Sequence, residues 1–112
     1  MNVEKLTPCP LSREAFHLSR EKFVPERSGC YVLTTFAGVI LYIGLAKALR
    51  RRMHEHLNSS EKTNTTAFGR AVLFYWLESD ELQKVERTWL NIHLENEGFL
   101  PVLNKIYSPT SG

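Results

Sequence analysis

Apolar positions along the chain fall into short clusters with two different periods. Residues 30–36 and 39–43 are rich in aliphatic and aromatic side chains, and Ala37 and Gly38 separate them. This pattern predicts a β-hairpin, with Gly38 supplying a backbone angle that other residues avoid. Gly44 ends the second strand. From Ala46 the period becomes helical, because Ala46, Leu49, Met53 and Leu57 share one stripe. Asn58 closes this helix. Residues 58–69 are rich in Ser, Thr and Asn and predict a mobile surface loop. Residues 71–77 form a continuous apolar and aromatic run of strand length. Ser79 or Asp80 then caps a second helix, and Gln83 fits a capping box with Asp80. Leu82, Val85, Trp89, Ile92 and Asn96 trace its face, and Gly98 and Pro101 stop it.

Residues 1–27 read as a leader carrying Pro8, Pro10 and Pro25. A short helix is predicted over residues 12–19, with Leu11, Ala15, Phe16 and Leu18 partly buried. The main domain is then residues 28–108. Its element order, β-β-α-β-α, predicts an α/β (α+β) fold: a small three-stranded, mostly antiparallel sheet flanked by helices. A length of 112 residues suits one domain with one core. No apolar run approaches the roughly 18 residues of a membrane span, and residues 1–5 lack the apolar stretch of a signal peptide. The two cysteines, with no secretory signal, read as free thiols in a reducing compartment, so a cytoplasmic location is expected. A net charge of +2 excludes bulk basicity, so any nucleic-acid affinity has to come from a local patch.

Several residues could carry chemistry. Tyr31 and Tyr42 lie on neighbouring strands of the hairpin, so their side chains can approach each other. Phenols can relay a proton from a nucleophile, although strands also favour tyrosine for packing alone. Arg52 sits at the edge of the apolar stripe, with His56 one turn below it on the same helical face. Arginine offers a planar, permanently charged fork of donors for phosphate oxygens. The bland reading of this pair is a solvated basic face. Glu86 has an apolar flank in Val85, Trp89 and Leu90. A single carboxylate, with waters and a substrate phosphate, is a normal Mg²⁺ environment; the plain reading is an ion pair with the Lys84 side or with Arg52. His54 and His56 point in nearly opposite directions and cannot chelate one metal. No Cys and His spacing fits zinc, and there is no Gly-rich phosphate loop.

Taken in order, Gly29-Cys30-Tyr31, Tyr42-Ile43-Gly44, Arg52, His56, Glu86 and the Pro101 to Asn104 spacing resemble the signature of the GIY-YIG nucleases. Each tripeptide alone is weak; the ordered set is specific. Cys30 replaces the usual aliphatic residue. Leu45 stands where excision-repair nuclease subunits carry a lysine. The segment from Glu86 to Asn104 is longer than in those subunits.

The resemblance implies a DNA endonuclease using one Mg²⁺ or Mn²⁺, with a role in DNA repair among the family's uses. It implies that Glu86 holds the metal and that Arg52 grips the scissile phosphate, with His56 as a second donor or proton carrier. Tyr31 and Tyr42 would position or deprotonate water. Gly44, Arg50 and Asn104 are the expected substrate-side residues, and Asn104 could instead tie down the end of the domain. DNA is the expected partner, and a protein partner could supply target choice. The alternative is a DNA-binding module that keeps the nuclease fold without cutting.

Overall fold

The computed structural model describes residues 1–104; positions 105–108 of the expected domain lie outside them. In chain order the main elements are β1 (Ser12–Ala15), β2 (Gly29–Thr34), β3 (Ile40–Ala46), α1 (Leu49–Leu57), the single turn α2 (Ser60–Thr63), β4 (Leu73–Glu78) and α3 (Leu82–Glu97). Short 3₁₀ turns cover Val3–Lys5 and Leu18–Phe23. The strands form one antiparallel sheet in the order β1-β4-β2-β3. The architecture is α+β, with helices on both faces.

Strand β2 is paired on both edges and buried along its whole length. That is why its sequence reads as a continuous apolar run. Side chains alternate across a sheet, and the alternation divides the core in two. Tyr31 and Leu33 join Leu41, Leu49, Met53, Phe74 and Trp76 on the face covered by α1. Cys30 and Val32 join Val3, Leu6, Ile40, Ile43 and Trp89 on the face covered by α3. The helix α1 buries Leu49 and Met53, as its stripe requires, and the Asn58 side chain closes it on the His54 carbonyl. Gly98 ends α3 in the left-handed region, at φ +83°.

Four expectations are corrected. Residues 12–15 are a strand, and the helical turn comes later, at Leu18–Phe23. β1 pairs with β4 from Ser12 opposite Trp76 to Ala15 opposite Leu73, so it adds a fourth strand at the sheet edge. Backbone pairing with β4 outweighs the weak helical pattern there, since only Phe16 of the four expected apolar anchors is buried; Leu11, Ala15 and Leu18 are exposed. The expected loop at residues 58–69 contains a helical turn, α2. The Asp80–Gln83 capping box does not form; Ser79 Oγ instead accepts the Glu81 amide at 3.0 Å.

Candidate active site

Sheet register places the first tyrosine. Tyr31 lies opposite Gly44 on β3 and opposite Trp76 on β4. Its ring leans across Gly44, where an added Cβ would stand 2.5 Å from the phenol oxygen. Below, the ring stacks on Phe74 with centroids 5.2 Å apart. Tyr31 is thereby fully buried, with no exposed surface. Gly44 is therefore required by the tyrosine, whatever it also does for a substrate. Gly44→Ala is expected to displace the ring and cost about 1–3 kcal/mol, the usual range for overpacking. Chemical denaturation measures this, and wild-type stability in the variant would contradict the close approach.

The second tyrosine is half-buried, and its ring centroid is 6.0 Å from that of Tyr31. His56, carried on the inner face of α1, meets both rings. Its Nε2 is 2.5 Å from the Tyr31 hydroxyl, and its ring stands edge-on to Tyr42 at 5.3 Å. Burial, then the positive charges of Lys62 and Arg52, push the His56 pKa down to about 4. The imidazole is neutral at physiological pH, and in the Nδ1–H tautomer Nε2 accepts the Tyr31 O–H.

Linkage turns this depressed pKa into a stability effect. An unfolded chain protonates His56 near pH 6.5, whereas the folded site resists until about 4. The stability contributed by this site is present above 6.5 and is lost as pH falls towards 4. A tenfold change in proton affinity corresponds to about 1.4 kcal/mol, so the loss is on the order of 3 kcal/mol. His93, also depressed by burial, acts in the same direction, and Glu86, raised by burial, acts in the opposite one. The difference between wild type and His56→Gln isolates the His56 contribution: denaturation midpoints should converge as pH falls from 6.5 to 4. Parallel profiles would contradict a buried neutral imidazole.

Arg52 is oriented by its own surroundings. Nε pairs with Glu55 at 3.0 Å, and one terminal nitrogen donates to the Leu45 carbonyl at 3.3 Å. Its charge lies close enough to Tyr31 and Tyr42 to favour their ionised forms. Burial opposes ionisation and dominates at both phenols, so both pKa values are raised, that of Tyr31 well above the usual range. Tyr42, the less buried of the two, is also favoured in its ionised form by its coupling to Tyr31.

Glu86 reaches the site from α3, on the other face of the sheet. With Tyr42, Leu45, Lys62 and Asn104 it lines a groove of about 1000 Å³ beside the edge strand β3. Burial raises its pKa. The cations nearest in sequence reasoning are engaged elsewhere: Lys84 pairs with Glu81 at 3.6 Å and Arg52 with Glu55. A half-buried carboxylate with no ion-pair partner among the described residues suits a divalent cation. No cluster of three or more His, Cys, Asp or Glu side chains exists among the described residues. Such an ion would therefore keep water or substrate oxygens as its other ligands, as Mg²⁺ does.

Two expected substrate residues stand differently. Asn104 clamps the backbone of Ile43, accepting from its amide and donating to its carbonyl, both at 2.8 Å. Its amide thus braces edge strand β3 between Tyr42 and Gly44. Arg50 points to another side of α1, donating to the Val24 and Lys22 carbonyls at 2.9 and 3.1 Å and pairing with Glu26. The structure does not bring it to the tyrosines. Lys62 was missed by sequence reasoning: its ammonium sits 4.8 Å from the Tyr42 ring centroid. The only local sign was Ser59, a helix-capping residue type within a polar stretch.

A phenol pair from the sheet, a neutral imidazole and an oriented guanidinium from α1 and one half-buried carboxylate from α3 thus belong to one small α+β domain. The family model described as the GIY-YIG catalytic domain matches residues 27–97. The chain belongs to this family of nucleases. It is also similar to the UvrABC system protein C of Lactobacillus delbrueckii subsp. bulgaricus, in two strains. The identity is 34% over 41 residues, covering 37% of this chain and 7% of that protein. The chain spans only a small part of the length of the curated relatives it matches.

Proposed function

We propose that this protein is a metal-dependent endonuclease that hydrolyses DNA phosphodiester bonds in the groove between Tyr42 and Glu86. The observation that carries this reading is the half-buried carboxylate of Glu86, which forms no ion pair among the described residues and lines one groove with the phenol of Tyr42. Bound Mg²⁺ or Mn²⁺ at Glu86 would stabilise charge on the phosphate and on the leaving oxygen. Arg52 holds the scissile phosphate and offsets negative charge as it builds in the transition state. Tyr42, the phenol that faces the groove and the less buried of the two, takes the proton from the attacking water. Its own proton passes to Tyr31, and that of Tyr31 to His56 Nε2. The water oxygen bonds to phosphorus as the bond to the leaving strand breaks. Proton transfer of this kind typically contributes about 10²–10⁴-fold. A protein partner that supplies target choice belongs to the same proposal.

The test is incubation of the protein with supercoiled, single-stranded and branched DNA, with Mg²⁺, with Mn²⁺ and with chelator. Cutting of at least one form, abolished by chelator, is expected. Salt-dependent binding with no cutting under any condition would replace the nuclease reading by that of a binding module.

A further inference from the structure

We propose that Lys62 is an additional substrate-binding residue of this site, whose ammonium takes a phosphate of the bound strand from an element outside the family's motif. The inference rests on the nuclease reading and deepens it. Lys62 comes from α2, the single turn that follows α1. Its Nζ lies over the Tyr42 ring, 4.8 Å from the centroid. Its side chain lines the same groove as Tyr42 and Glu86.

An ammonium over a ring has three N–H donors, and those not directed at the ring face remain available to a ligand. Lys62 forms no ion pair among the described residues, unlike Arg52, Arg50 and Lys84. Its charge and that of Arg52 both depress His56, so two cations converge on one imidazole. Among the described residues, the carboxylate on the groove wall is that of Glu86, which a divalent ion would neutralise. Convergent cations of this kind suit a phosphodiester, and lysine binds phosphate as a point charge with rotatable donors. Leu45, the residue after Gly44, presents no charge to the groove. Lys62 brings one to the same groove from the opposite end of α1.

The test is DNA binding in chelator, measured against salt concentration, for wild type, Lys62→Met, Lys62→Arg and the control Lys5→Met. Lys62→Met should weaken binding about tenfold and reduce the slope of log affinity against log salt by about one. Lys62→Arg should restore the slope, and Lys5→Met should leave it unchanged. A structural role, in which the stacked lysine merely steadies α2, would lower stability without moving the slope. Salt-dependent binding by wild type with the same slope in Lys62→Met overturns the assignment of Lys62 alone. A slope lost in both Lys62 variants also overturns it, because the charge would not be what matters. Absence of salt-dependent binding in the wild type overturns the nuclease reading on which the inference stands.

Discussion

Glu86→Ala is expected to abolish DNA cleavage in Mg²⁺ while leaving the fold and DNA affinity nearly intact. The carboxylate is half-buried and forms no ion pair among the described residues, so removing it breaks no salt bridge. Burial raises its pKa, which means that the folded site disfavours its charge. Stability should therefore hold or rise slightly in the variant, the reverse of what loss of a structural ion pair would cause. Cleavage rates, together with denaturation curves on the same preparations, test this. Full activity of Glu86→Ala in Mg²⁺ would remove the metal assignment. A large loss of stability would show Glu86 to be structural.

Arg52→Ala is expected to lower the cleavage rate about a hundredfold, the usual effect of removing one preorganised donor to a developing charge. Arg50→Ala should leave the rate near that of wild type. Its donors hold the carbonyls of Val24 and Lys22, so its loss should appear in stability, at roughly 1 kcal/mol for a partly exposed charged hydrogen bond. Two arginines two positions apart on one helix thus separate chemistry from architecture. Equal rate losses in both variants would reduce the site to an undifferentiated basic face.

These contrasts show how far the sequence could be read. The helices α1 and α3 follow from period, because each has one face that must be buried, and the hairpin follows from two apolar runs parted at Gly38. Arg52 and His56 could be paired from their spacing, since residues four apart share a helical face. β1 could not be read. Its residues, Ser12–Ala15, are mostly exposed and show no alternation, and only pairing with β4 makes them a strand. The difference between the two tyrosines was equally hidden. It arises because Gly44 sits opposite Tyr31 across the sheet and lets that ring collapse inward, while Tyr42 stays at the groove. The partners of Arg50 were hidden as well, because they are backbone carbonyls of the leader, which no side-chain pattern reveals. Lys62 was obscured because a polar stretch gives no sign that one of its turns folds back over Tyr42.

The central claim is that this site adds water to a DNA phosphodiester with the help of a divalent ion. The most direct measurement is single-turnover cleavage of a defined DNA in isotopically labelled water, in Mg²⁺ and in chelator, with mass analysis of the new ends. Cutting only in Mg²⁺, with one solvent oxygen in each new terminal phosphate, is the predicted result. No cutting, or cut ends that carry no solvent oxygen, would contradict it.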